Sequence, residues 1–181
     1  MTYLVSISLA LLLIGIFFYN NLISKKNKAE EAYSSIDVML KKRTDLIPQL
    51  VNTIKGYTKH ESETLITITK LRERIVEGNL PSGQRLNLES DIDQLLGKLN
   101  ITVEAYPDLK ASQNFMLLQS SLNEVEEQLS ASRRSYNAAV NAFNNSLEMF
   151  PSNIAGKLMG YSSKTFYKIG PLESEEPKVS F

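Results

Sequence analysis

The chain contains no cysteine. That excludes a disulfide framework, a thiolate metal site, a cysteine nucleophile and a lipid-modified cysteine anchor, and it suits a reducing compartment. Histidine is almost as scarce, since His60 stands alone. The run His60-Glu61-Ser62-Glu63-Thr64 begins like a zinc-protease helix, but that motif needs a second His four residues on to share the metal, and position 64 is Thr. A di-iron bundle site needs two Glu-x-x-His pairs, which one His cannot supply. Neither Gly-x-Gly-x-x-Gly nor Gly-x-x-x-x-Gly-Lys occurs, so there is no phosphate-cradling loop. Nothing marks any serine as activated. The sequence therefore nominates no catalytic residue, no metal ligand and no cofactor site, and no enzymatic activity is expected.

Charge is also missing where it matters most. Residues 1–24 carry no charged side chain, and Tyr3–Tyr19 is almost wholly apolar. Seventeen helical residues reach about 25 Å at 1.5 Å per residue, close to the lower limit for a hydrocarbon core of about 30 Å. Leu4, Leu12 and Phe17 are among the residues that supply the transfer energy. Tyr3 and Tyr19 sit where interfacial aromatics belong. In hydrocarbon a single segment must be helical, because every N–H has to find a carbonyl within the segment. A cleaved signal peptide would want basic residues before the run and a small-residue site after it; the run is followed instead by FFYNNLISKK. A buried core helix is a poorer reading still, since little else is apolar enough to surround it. The expectation is an uncleaved single-pass anchor over residues 1–24.

Lys25, Lys26 and Lys28 follow the span and no Lys or Arg precedes it. The positive-inside rule then places the amino terminus outside and the remaining chain in the cytoplasm. Residues 25–85 hold 12 basic and 8 acidic side chains, and residues 86–181 hold 8 and 12. The basic half thus adjoins the membrane, where anionic lipids attract Lys and Arg. Lys41-Lys42-Arg43 lacks a wider basic face or interleaved aromatics, so it reads as a solvated face and nucleic acid is not expected as a partner.

Beyond the anchor, strand alternation is absent and apolar residues recur at helical spacing. They run through Ala29, Ala32, Tyr33, Ile36, Leu40, Ile47, Leu50, Val51, Ile54, Tyr57, Leu65, Ile68, Leu71 and Ile75. Pro48 interrupts this stripe without shifting its phase, so a kink is expected there in preference to a turn. The helix should end near Gly78–Asn79, within GNLPSG. A second helix is expected from about Asn87 to Tyr106, ended by Pro107. A third should start near Ser112 and run to about Met149. In the third, Phe115, Leu122, Leu129, Tyr136, Phe143 and Phe150 recur every seven residues, with Leu118, Val125, Ser132, Ala139 and Ser146 between them. Such heptads favour coiled-coil-like supercoiling and make a homo-oligomer a candidate assembly. Ser152–Met159 suggests one short further helix, and the Glu- and Pro-rich remainder a tail. The expected fold is all-α: an N-terminal transmembrane helix followed by an elongated antiparallel bundle of three or four long helices, with the anchor at 1–24, the bundle at 25–160 and the tail at 161–181.

Four polar residues fall on or beside the apolar stripes. Arg43 follows Ile36 and Leu40 on the inward face, Glu61 lies between Tyr57 and Leu65, Arg133 lies between Leu129 and Tyr136, and Asn137 begins a series continued by Asn141 and Asn144. One reading is a polar pocket for a ligand or partner. The other, favoured because buried charges are usually paired, is an ionic layer that fixes helix register, or long side chains whose heads reach water.

The stretches 35–61 (SIDVMLKKRTDLIPQLVNTIKGYTKHE), 103–119 (VEAYPDLKASQNFMLLQ), 131–144 (ASRRSYNAAVNAFN) and 150–161 (FPSNIAGKLMGY), with the closing PKVSF, resemble the LemA family of bacterial membrane proteins. The likeness covers nearly the whole chain in order, anchor included. It implies a single amino-terminal span and a helical cytoplasmic bundle, and no catalytic residue or cofactor to carry over. A branch of that family in magnetosome-forming bacteria is linked to building that internal membrane, so the resemblance implies scaffolding. The expected partners are membrane lipids through the first helix and an unidentified membrane or peripheral protein.

Overall fold

A computed structural model describes residues 1–58, 62–77 and 82–167. His60, Glu61, the turn expected at Gly78–Asn79 and residues 168–181 lie outside the described residues. Among the described residues six helices occur in order: α1 (Thr2–Lys55), α2 (Ser62–Glu77), α3 (Ser82–Val103), α4 (Pro107–Lys110), α5 (Gln113–Glu148) and α6 (Ser152–Leu158). No strand is found among the described residues. The chain is all-α, with a long apolar helix at the amino terminus followed by further packed helices. Its described residues divide into two compact units, one built from Met1–Val38 and residues 129–167, the other from Met39–Gln128.

In the second unit the apolar stripe of the sequence becomes a core. Ile47, Leu50, Val51 and Ile54 of α1 meet Leu65 and Ile68 of α2, Ile92, Leu99 and Val103 of α3, Leu109 of α4 and Phe115 of α5. The rod anticipated from Lys28 to Gly78 is in fact two helices. α1 stops at Lys55, its last turn tightened as the Tyr57 and Thr58 amides both donate to the Ile54 carbonyl. Gly56 stands at the break, where its helix propensity, about 1 kcal/mol below that of Ala, favours an end. The stripe keeps its phase past Gly56 because both arms of the resulting hairpin face one core. Periodicity alone cannot distinguish that from a continuous helix.

Pro48 lies inside α1, which continues through it. Lacking an N–H, Pro48 cannot serve the carbonyl four residues back, that of Thr44. Arg72 on α2 takes over: its Nε donates to the Thr44 oxygen at 3.3 Å. Thr44 is itself buried, and its hydroxyl donates to the Leu40 carbonyl at 2.8 Å. The helix thus survives its proline because the folded-back partner supplies the missing donor. The helix expected to reach Tyr106 stops at Val103, three residues short, and Pro107 instead opens α4 at a position where the absent N–H costs nothing. α4 buries Leu109 completely, and Ser112 stands directly before α5.

In the first unit α1 and α5 run antiparallel. Lys25 pairs with Ser146, and eight residues further along α1 Tyr33 stacks edge-on against Tyr136. Leu22, Ala29 and Ile36 are buried from α1, and Leu129, Val140, Phe143 and Ser146 from α5. The heptad residues Phe115, Val125, Leu129, Phe143 and Ser146 are therefore covered within the chain itself, while Phe150, the last of the series, is exposed. Residues before Leu22 behave differently. Tyr3, Leu4, Leu12, Phe17 and Tyr19 all face outward, and none of the described residues of the apolar stretch is buried. This part of α1 is long and apolar enough to cross a membrane.

Candidate functional site

Arg43 is the one residue of the α1 stripe whose charge has been carried inside. It follows Leu40 by three positions and Ile36 by seven, so helical geometry points it inward with them, and it is 2% exposed. Its Nη1 donates to Asp93 Oδ1 of α3 at 2.5 Å and to Glu126 Oε1 of α5 at 2.9 Å. Glu89, one turn before Asp93 and 3% exposed, adds a third carboxylate to the field. Burial on its own would lower the Arg43 pKa. Asp93, Glu126 and Glu89 outweigh it and hold the guanidinium above its ordinary value, so the group stays charged at every pH at which the protein is folded. One cation tying α1 to α3 and α5 fixes how these three helices register. A ligand competing for this arginine would have to displace two carboxylates already bonded to it.

The sequence points to Arg43 but not to its partners. A signal exists for two of them: Glu89 and Asp93 are one turn apart and interleave with Leu88 and Ile92, which puts them at the edge of the apolar face. Glu126 follows Val125, an intervening heptad position, by one. Single-sequence reading finds both edges but not which of them meet.

Arg133 and Asn137 come together elsewhere, in the first unit. After α6 the chain turns at Gly160, whose φ of 65° favours glycine, and residues 161–167, assigned to the tail by composition, lie extended along α5. Asn144 holds Lys164 at both backbone groups: the Lys164 amide donates to Asn144 Oδ1 at 2.9 Å, and Asn144 Nδ2 donates to the Lys164 carbonyl at 2.9 Å. Asn137 does the same for Tyr167, at 2.8 and 3.1 Å. The spacing explains the match. Seven helical residues rise about 10.5 Å, and three extended residues cover about 10 Å. Each amide thus offers the donor and acceptor that a neighbouring β-strand would offer. Beside them Tyr136 donates its hydroxyl to the Thr165 carbonyl at 3.1 Å, and Arg133 lies over the Tyr167 ring at 5.2 Å. Burial, then the neighbouring Tyr33, pushes the Tyr136 pKa up. Asn141, the middle amide of the series, is exposed, and Glu61 lies outside the described residues.

Neither constellation contains a nucleophile beside a base. Among the described residues no group of three or more His, Asp or Glu is arranged to hold a metal ion. These arrangements can fix helices and a strap. They define a class: an all-α protein with an exposed, bilayer-length apolar helix running into ion-paired bundle units. Within that class the assignment is specific, since the LemA family model matches residues 32–181 and the chain belongs to that family. Protein LemA of Metamycoplasma hominis is 31% identical over 163 residues, covering 86% of this chain and 74% of that protein. Magnetosome protein MamQ 2 of Paramagnetospirillum magneticum is 21% identical over 178 residues, and Magnetosome protein MamQ of Magnetospirillum gryphiswaldense 20%. Each match covers 84% of this chain and 65% of the magnetosome protein.

Proposed function

We propose that this protein is a non-catalytic scaffold held to the membrane by one uncleaved span, with its amino terminus outside and its helical units in the cytoplasm. The observation that carries the reading is the continuity of α1. Its exposed apolar stretch and its buried residues Leu22, Ala29 and Ile36 belong to one helix without an intervening linker. A span joined rigidly to a packed unit presents helix faces at a set height above the bilayer, which a flexible tether would not do. The partner on those faces is a membrane or peripheral protein, or a second copy of the chain through surfaces other than the covered heptad stripe. The Arg43 ion pairs support the reading by giving rigidity where a ligand site would need an opening.

Reporter fusions at Phe181 test this. A fluorescent protein that matures only in the cytoplasm should shine there, and a phosphatase active only outside should be silent. An active phosphatase at the carboxyl terminus would refute the orientation, and in-cell crosslinking that recovers no protein partner and no second copy would refute the scaffold.

A further inference from the structure

Within the first unit, the chain reverses between α5 and α6 at the end of the bundle that faces the apolar stretch of α1. Lys25 pairs with Ser146 in antiparallel helices, so Met149 and Phe150 come level with Leu22 and Asn21. α6 is docked there through Gly156. A Cβ at that glycine would lie 2.6 Å from Leu147 Cδ2 and 3.7 Å from Leu22 Cδ2. The chain then returns at the level of Lys26 and Phe143, whose ammonium and ring lie 5.6 and 6.0 Å from the Tyr161 ring. The elbow and α6 therefore cap the end of this unit nearest Tyr19, three residues and about 4.5 Å of helix rise before Leu22.

This cap is apolar on its outer side. Phe150 is 79% exposed and Leu158 84%, and Met149 and Ile154 are exposed as well. Ile154 and Leu158 lie two residues either side of Gly156, which places them on the face of α6 opposite the one packed on Leu22. Large apolar side chains turned outward in so short a segment need a reason. Lys157 is exposed beside them, and Lys25 and Lys26 stand at the same level on α1.

We propose that the α5–α6 elbow is a second membrane contact, with Phe150, Ile154 and Leu158 seated in the headgroup–acyl boundary of the leaflet that α1 crosses. The inference rests on the spanning reading of α1. The occupant follows from position: a bilayer ending near Tyr19 puts its headgroup layer, several ångströms deep, at the level of Leu22 and the elbow. Interfacial segments bury apolar side chains about 5–10 Å into that boundary with basic residues at its edge, where anionic lipid attracts them. Two contacts on one rigid unit would fix its tilt as well as its height.

The chain has no tryptophan, so a single one reports its own surroundings. Leu158→Trp, Phe150→Trp, Phe17→Trp and Leu117→Trp are made in the full chain and reconstituted in vesicles of phosphatidylethanolamine and phosphatidylglycerol carrying spin-labelled lipid. Leu158→Trp and Phe150→Trp should emit at shorter wavelength than Leu117→Trp, and labels near the headgroup should quench them more than labels at the chain end. Phe17→Trp, two residues and about 3 Å of helix rise inside Tyr19, should be quenched by the labels near the headgroup as well. If Phe17→Trp is quenched but Leu158→Trp and Phe150→Trp emit like Leu117→Trp, the elbow contact is refuted while the span stands. If they are shifted but not quenched, protein rather than lipid covers the patch and the inference is equally overturned. An unquenched Phe17→Trp would remove the span, and the elbow contact with it.

Discussion

Replacing Arg43 by methionine isolates the ionic tie between α1, α3 and α5. Met matches much of the arginine's length and leaves little cavity, so the loss is electrostatic. Removing one partner of a buried pair costs about 3–5 kcal/mol, because the other is left without its counter-charge. Here the stranded groups include Asp93 and Glu126, whose side chains are 39% and 44% exposed and can regain water. That places Arg43→Met near the lower end, at about 3 kcal/mol. For a chain of this size each kcal/mol lowers the melting temperature by about 2–4 °C, so a fall of about 6–12 °C is expected. The assay is thermal unfolding of the full chain in non-ionic detergent, followed by circular dichroism. Adding Asp93→Leu and Glu126→Leu to the same variant should recover part of the loss, since Glu89 alone of the three carboxylates then faces the methionine. A single-variant loss below about 1 kcal/mol, or a triple variant no more stable than the single, would refute the reasoning. A base whose folded pKa is raised contributes fully at any pH below its unfolded value, which for arginine lies above the range in which proteins are handled, so no alkaline loss arises from Arg43.

Pro48→Ala restores the N–H that the Thr44 carbonyl lacks. Arg72→Ala should therefore cost about 1 kcal/mol in the parent and markedly less in the Pro48→Ala background, and equal costs in a double-mutant cycle would break the link drawn between them. Asn137→Ala and Asn144→Ala should each cost about 1 kcal/mol and together free residues 161–167, seen as faster amide exchange at Lys164 and Tyr167; unchanged exchange in the double variant would contradict the clamp. Tyr136 has a raised pKa because the folded state favours its neutral phenol. Its contribution is thus complete below the unfolded value near 10 and lost as pH rises through the folded one, so Tyr136→Phe should flatten the alkaline limb of stability against pH.

Much of the fold is legible in the sequence because one physical rule governs it. A helix that packs must place apolar residues every three or four positions, and Ile47, Leu50, Ile54, Leu65, Ile68 and Ile92 do so and are buried. What is lost is whatever depends on which helices meet. The reversal after Lys55 is invisible because the two arms keep one phase. The continuity of α1 through Pro48 depends on Arg72, a residue 24 positions away that no local pattern ties to Thr44. Arg43 could be singled out, since a charge on an apolar stripe is conspicuous, but Asp93, Glu126 and Glu89 come from other helices. Composition assigns residues 161–167 to the tail, whereas Asn137 and Asn144 bond to their backbone and leave no signature in their side chains.

Intact-mass spectrometry of the protein taken from washed membranes puts the anchor to its sharpest test. A chain that is still attached after alkaline washing and whose mass includes residues 1–24 is the expected result. A mass lacking those residues, in a protein that the wash releases, would contradict the reading of α1 as a permanent span.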